Sequence, residues 1–199
     1  MPSRGVTFCE SLNLMAKDLG ILPLSFFANE RRAVIQPGIV SMSMLEKPDL
    51  LYLESAKGWY LLGDLQEAAR ELDKLSSSKQ EHPDVLEVRF AIQAKLQNWG
   101  LCMETATSLL EAAPERPTAW LNCATVLHGL KETRAAWHTL YNVLDRFPKV
   151  ALIPYNLAVF GCALGQSTEA LQMLERAFAL GGEDLRKQAQ REPELKSLL

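Results

Sequence analysis

The sequence lacks both a long apolar run and an excess of basic residues. None of its uninterrupted apolar stretches approaches the roughly 18 residues of a membrane span, so we expect no transmembrane helix. The formal net charge is −3, whereas proteins that bind nucleic acids usually carry a clustered basic excess. We therefore predict that neither a membrane nor a nucleic acid is a partner.

The signatures of common catalytic and metal sites are also missing. The sequence contains no phosphate-binding loop, no dinucleotide-binding glycine motif, no Gly-x-Ser-x-Gly and no His-Glu-x-x-His. Its 3 histidines include no pair at the helical i, i+4 spacing of metal ligands, and its 4 cysteines include no Cys-x-x-Cys pair. We predict no catalysis, no metal and no cofactor. Cysteines without disulfide-like spacing favour a reducing, cytoplasmic location.

A 34-residue period runs through most of the remaining chain. Gly63 in LGDLQEA and Gly165 in LGQSTEA are 102 residues apart, which is three times 34. Both intermediate registers carry similar residues in most columns, and the departures include Phe90 in a column of alanines and Gln97 at the turn. The clearest columns are Leu62, Leu96, Leu130 and Leu164; Ala68, Cys102, Ala136 and Ala170; Leu72, Ala106, Leu140 and Leu174; and Ala56, Phe90, Ala124 and Ala158.

This period and its small and large positions resemble the tetratricopeptide repeat, a helix-turn-helix unit of 34 residues. Residues 117–150 fit the pattern best, with Trp120, Ala124, Ala136 and Pro148 at the expected places. The resemblance implies an all-α, right-handed α-solenoid, because each short hairpin buries its apolar face only by stacking on a neighbour. The four implied units are 49–82, 83–116, 117–150 and 151–182, and their predicted helices are about 50–62, 65–77, 84–96, 99–112, 118–130, 133–146, 152–164 and 167–180.

Two segments lie outside the predicted repeats. Residues 183–199 follow a predicted helix stop at Gly181–Gly182, and they resemble the ending of some bacterial tetratricopeptide proteins, so we expect a C-terminal capping helix. Residues 1–48 show no period and are expected to form an irregular or partly disordered arm. Its apolar stretch from Leu19 to Phe27 either packs on the repeats or belongs to a disordered leader. A cleaved signal and a later translation start are further alternatives.

The resemblance also implies a binding surface, because in this family the first helix of each unit lines a concave groove. Relatives that bind a C-terminal carboxylate place lysines where this chain has Leu53 and Leu152. We therefore expect the groove to bind an apolar peptide or helix. The alternative is that the groove is covered by the chain's own arm or by another copy. The predicted groove residues are Leu53, Lys57, Tyr60, Glu87, Leu121, Asn122, His128, Tyr155, Asn156 and Val159.

The functional prediction is a non-catalytic protein-protein interaction module, or scaffold, whose partner is another protein or peptide. Three cysteines, Cys102, Cys123 and Cys162, fall at core or near-core helical positions, which favours small buried residues over nucleophiles. A second hypothesis is a structural, self-assembling protein whose repeats form a homo-oligomer. An enzyme with a site of unfamiliar type is the third hypothesis.

Overall fold

The computed structural model describes residues 44–196 and residue 198, and no strand occurs among them. The hypotheses about the stretch from Leu19 to Phe27 lie outside the described residues. The described part contains eight α-helices and two short 3-10 helices, Ser77–Lys79 and Pro193–Leu195. The α-helices are α1 (Asp49–Leu62), α2 (Leu65–Asp73), α3 (Pro83–Lys95), α4 (Trp99–Ala112), α5 (Pro117–Gly129), α6 (Thr133–Tyr141), α7 (Leu152–Ala163) and α8 (Ser167–Ala189).

Consecutive helices pack as pairs, and each pair stacks on the next. Within the pairs, α1 contacts α2, α3 contacts α4, α5 contacts α6 and α7 contacts α8. Between pairs, the second helix contacts the first helix of the following pair, and the first helices also contact one another in succession. This is the packing of an α-solenoid, so the predicted all-α fold class is confirmed.

Small residues let the two helices of a pair approach closely. Ala124 and Ala136, on the facing helices of the third pair, are both 0% exposed. In the fourth pair a Cβ atom added to Gly161 would lie 3.0 Å from the Cβ of Ala170. Close-packed interiors accommodate extra methylene groups only by shifting neighbours. The small columns of the 34-residue period therefore mark the places where the helices cross.

The turn between the two helices of each pair has one conformation in all four units. Its central residue has a left-handed φ of 86° at Gly63, 54° at Gln97, 70° at Lys131 and 75° at Gly165. Glycine adopts this conformation freely, whereas other residues lose about 1–2 kcal/mol. The second helices then begin at capping side chains in the first two units, where Asp64 accepts from the Glu67 amide at 3.0 Å. Repeat packing thus forces Gln97 and Lys131 into the left-handed backbone conformation that glycine adopts more easily.

Two second helices are shorter than predicted. α2 ends at Asp73 because the chain turns back there: Gln80 Nε2 donates to the carbonyls of Leu72 at 3.1 Å and Leu75 at 2.9 Å. These side-chain bonds satisfy carbonyl groups that would otherwise continue the helix. α6 ends at Tyr141, after which the backbone bonds tighten to the i→i−3 pattern, as between the Val143 amide and the Leu140 carbonyl.

A glycine break separates the last repeat helix from the C-terminal cap. The predicted stop at Gly181–Gly182 is right in position, since Gly182 has φ 62° and ψ −151°, a conformation almost confined to glycine. The chain does not leave the helix for good, however. Helical structure resumes and runs to Ala189, and Leu185 and Ala189 are buried on this cap. No helix among the described residues has the length and apolarity required to cross a bilayer.

The shared turn conformation predicts that Gln97→Gly stabilises the protein. Glycine relieves the left-handed strain, and the gain exceeds its greater unfolded-state entropy, so we expect the free energy of unfolding to rise by about 0.5–1 kcal/mol. Gln66→Gly is the matched control, because Gln66 is an exposed residue within α2, where glycine costs about 0.5–1 kcal/mol. Urea denaturation measures both; equal losses in the two variants would contradict the turn assignment.

Candidate functional site

The first helices of units one to three line two adjoining cavities. The large cavity has a volume of about 530 Å³, and the small cavity has a volume of about 330 Å³. They share Tyr60, Glu87 and Ala91. The large cavity is also lined by Phe90, Ala94, Lys95, Trp99, Thr118, Asn122 and Thr125, and the small one by Lys57, Leu61 and Val88. These cavities form a mostly apolar concave surface on α1, α3 and α5.

Two aromatic side chains shape the large cavity. Phe90 is 5% exposed and stands in the column where the other units have a fully buried alanine. The ring of Trp99 lies against Gly129 so closely that an added Cβ would come within 2.7 Å of it. A bulky ring at a small-residue position and an indole seated on a glycine are both departures from the regular repeat. Together, Phe90 and Trp99 form an aromatic part of the lining of the large cavity.

The charges around the cavities are not equivalent. Glu87 accepts hydrogen bonds from the Thr118 hydroxyl at 2.6 Å and from Arg116 at 3.3 Å. Its charge is only partly offset, because Arg116 also pairs with Asp84 at 2.6 Å. The Lys57 ammonium lies 2.8 Å from Glu54. Lys95 lies over the Tyr60 ring, 5.2 Å from its centroid, and forms no ion pair with a carboxylate in the described part of the chain. The cavity mouth therefore offers a cation beside an aromatic ring.

Four of the ten predicted groove residues line these cavities: Lys57, Tyr60, Glu87 and Asn122. Leu53 and Leu121 do not, because they are 1% and 8% exposed and belong to the interior. Asn156 remains partly exposed and donates to the Leu152 carbonyl of its own helix at 2.8 Å. The fifth position of the first helix, which Leu53 and Leu121 share, faces the helix stack in these units.

Sequence reasoning missed Lys95 and Trp99 as site residues. Both lie just beyond the positions that the family pattern assigns to the groove, at the end of α3 and at the start of α4. The sequence carried two local signals. Trp99 follows a turn in which Gln97 replaces a glycine, and Gly129 on α5 leaves space for an aromatic ring. Only the three-dimensional structure brings the indole and the lysine to the same cavity.

In unit four the equivalent surface is covered by the chain's own C-terminal segment. The turn Pro193–Leu195 packs on α7, and Leu195 is 0% exposed. On α7, Tyr155 and Val159 are 3% and 7% exposed, although both were predicted to face an open groove. That prediction is wrong for these two residues. Among the described residues, the covering element that packs on this helix is the C-terminal segment, a covering that was not considered from the sequence.

The covered surface is polar at its centre. Burial, with the nearby charges of Glu192 and Glu194, raises the pKa of Tyr155, and its hydroxyl has no hydrogen-bond partner among the described residues. Burial and a hydrogen bond with Glu194 raise the pKa of Glu192, whereas the same bond lowers the pKa of Glu194. Glu192 is therefore the member of this pair that is protonated first as the pH falls.

His128 lies at the border between the open and the covered surface. Its Nδ1 is 3.0 Å from the Thr133 hydroxyl, and its ring centroid is 4.9 Å from that of Phe160. Burial lowers the pKa of His128, while the charge of Glu194 opposes the shift. The imidazole is thus neutral at pH 7 and packed against α7, so it contributes a ring face rather than a charge.

Two of the described cysteines, Cys102 and Cys123, lack the features of a nucleophile. Cys102 and Cys123 are 0% and 1% exposed, and burial raises the pKa of their thiols to about 11 and about 12. These thiols stay protonated at neutral pH, and reactivity requires the thiolate. The interpretation as small core residues is confirmed for both, while Cys162 is half-buried. Among the described residues no group of three or more His, Cys, Asp or Glu side chains is placed to hold a metal ion.

Comparisons with known proteins bear on the fold. No protein-family model matches the chain, and no curated protein matches it. A solved structure described as "MamA RS-1 ArsTM double mutant" is similar with a TM-score of 0.57 and 14% sequence identity, over 94% of this chain and 97% of that chain. "MamA 41-end" from Desulfovibrio magneticus RS-1 gives a TM-score of 0.44 and 13% identity, over 69% of this chain and 97% of that one. The first match supports a tetratricopeptide-like solenoid, and the second is too weak to add to it.

The buried, unpaired hydroxyl predicts that Tyr155→Phe does not lower the free energy of unfolding. A buried hydroxyl without a partner is unfavourable by about 1–3 kcal/mol, so we expect the free energy of unfolding to stay equal or rise by up to about 1 kcal/mol. Tyr155→Ala is the control for packing and should lose about 3–5 kcal/mol. Chemical denaturation tests both. A loss of more than about 1 kcal/mol in Tyr155→Phe would show that the hydroxyl has a stabilising partner.

Proposed function

We propose that this protein is a non-catalytic interaction module that binds a partner protein on the concave surface of units one to three. The observation that carries the proposal is the pair of adjoining cavities on α1, α3 and α5, which share Tyr60, Glu87 and Ala91. A concave, mostly apolar surface with a few placed polar groups is the usual form of a binding site. The cavities are formed by helices rather than loops, which favours a preformed, rigid site.

The binding energy would come from apolar side chains of the partner that enter the cavities. Each large side chain that becomes fully buried contributes about 1.5–3 kcal/mol, and the partner segment loses conformational freedom when it binds. Two or three such anchors contribute about 3–9 kcal/mol before this loss, so we expect dissociation constants toward the millimolar end of the range from about 1 μM to 1 mM. Thr118, Asn122 and Thr125 line the same cavity, and their polar groups supply hydrogen bonds that orient the bound backbone. This affinity range is that of a reversible scaffold.

The self-assembly hypothesis has one observation in its favour. Leu61, Leu62 and Leu96 lie at the helix turns of units one and two, and they are 83%, 78% and 61% exposed. Exposed apolar clusters of this kind often mark contact surfaces between proteins. Light scattering over a range of concentrations discriminates between the hypotheses. A molecular mass that grows with concentration supports self-assembly, and a constant monomer mass excludes it.

The proposal predicts that filling the cavities abolishes partner capture. We expect full-length protein carrying Ala91→Arg to lose the partners that the unmodified protein captures from an extract of its source cell, as identified by quantitative mass spectrometry. Ala91 lines both cavities, so the long cationic side chain occupies the site that the partner needs.

Ala112→Arg is the matched control, since Ala112 is exposed at the end of α4 and lines neither cavity. This variant should capture the same partners as the unmodified protein. Circular dichroism and thermal melting confirm that both variants are folded. Equal capture by the two variants would place the interaction on another surface, and the proposal would then be wrong.

A further inference from the structure

The small cavity and the covered surface of unit four are equivalent positions of the repeat. A shift of 68 residues, or two repeat lengths, carries Tyr60, Glu87 and Ala91 of the small cavity onto His128, Tyr155 and Val159. Among the described residues the first set lines an open cavity. Tyr155 and Val159 are 3% and 7% exposed, their helix contacts the C-terminal segment, and Tyr155 lies near Glu192 and Glu194 of that segment. The described part of the chain therefore contains two repeat-equivalent surfaces, one that lines an open cavity and one that contacts a short piece of the same chain.

The filled copy shows which chemistry such a surface accepts. The covering segment reads Glu192-Pro193-Glu194-Leu195, and it turns as a short 3-10 helix. Leu195 is completely buried, while the carboxylates of Glu192 and Glu194 lie near Tyr155, and that of Glu194 also lies near His128 and Lys131. The segment thus combines one buried aliphatic anchor with two acidic groups directly before it.

The small cavity in units one and two is complementary to the same combination of an aliphatic anchor and acidic groups. Its apolar lining includes Leu61, Val88 and Ala91, which suits an aliphatic side chain. Lys57 lines the small cavity, and Lys95 lies over Tyr60 at its edge. The acidic residue of the cavity, Glu87, accepts a hydrogen bond from Thr118 and shares the Arg116 guanidinium with Asp84. A ligand carboxylate pairs most readily with Lys95, which forms no ion pair among the described residues, whereas Lys57 is shared with Glu54.

We infer that the open cavities bind a partner segment of the same class as the chain's own C-terminal turn: a large aliphatic residue preceded by acidic residues. This inference rests on the proposed function and specifies its partner. The aliphatic side chain enters the small cavity between Tyr60 and Ala91, and the carboxylates face Lys57 and Lys95. The C-terminal segment fills its own surface in unit four, so it leaves the first half of the groove as the place where another chain binds.

The test uses a defined probe with the full-length protein. The probe is the peptide QREPELKSLL, the sequence of residues 190–199, acetylated and amidated so that its termini carry no charge. Titration followed by methyl NMR should shift the Ala91 signal and leave the Val159 signal in place, with a dissociation constant of about 0.1–1 mM. Shifts confined to Val159 would mean that the peptide only exchanges with the resident segment, and they would overturn the inference.

Two substitutions test the chemistry of recognition. Leu195→Ala in the peptide should weaken binding about tenfold, because the aliphatic anchor is lost. Lys95→Glu in the protein should weaken binding of the unmodified peptide about three- to tenfold, whereas Lys149→Glu, an exposed charge change outside both cavities, should not. Equal binding by all these forms would also overturn the inference.

The peptide titration can fail independently of the partner-capture experiment that tests the proposed function. If Ala91→Arg abolishes partner capture while the peptide leaves the Ala91 signal unchanged at about 1 mM, the cavities bind proteins of another chemistry. In that case the inference is wrong and the proposed function stands. If Ala91→Arg leaves capture intact and the peptide also fails to bind, both are wrong.

Discussion

The close approach of two helices at small residues is the contact on which the rest of this structure depends. Ala124, Ala136 and Ala158 are completely buried, and Gly161 meets Ala170 at a distance that leaves no room for a larger side chain. Because the crossings are tight, each pair stacks on the next and the first helices align along one concave face. Unit two departs from this rule at Phe90, and the large cavity is found there. The binding surface is thus a local exception to the packing that forms the solenoid.

In the described part of the chain, the concave face is covered in unit four and open in units one to three, and this difference has a physical reason. A terminal unit of a solenoid exposes an apolar face that no further repeat covers. Here the break at Gly182 redirects the chain, and the C-terminal segment buries Leu195 against α7. This cover extends to Tyr155 and to the region of His128, but the described structure of units one to three leaves the equivalent surface open. Capping and binding therefore use the same kind of helical surface at different places in the repeat.

The sequence was sufficient for the helices and their pairing because a 34-residue period records packing directly. It also located the break at Gly181–Gly182. It was insufficient to predict which groove residues are exposed, because exposure depends on which surfaces distant parts of the chain cover. Tyr155 and Val159 occupy positions that face a groove in other solenoids, yet both are buried, and a segment more than 30 residues later contacts their helix. Lys95 and Trp99 reach the cavity from outside the family positions, and no period marks them.

Thiol labelling at two repeat-equivalent positions tests the central claim most directly. Ala91 and Val159 are separated by two repeat lengths. Ala91 lines both cavities, whereas Val159 is buried on the helix that contacts the C-terminal segment. Ala91→Cys and Val159→Cys are prepared in the full-length protein, and the rate of reaction with a small maleimide is measured against the unmodified chain. The account predicts rapid labelling at residue 91 and labelling at least about tenfold slower at residue 159, because burial withholds the thiolate from the reagent. Equal rates at the two positions would contradict the division of the concave face into an open and a filled half.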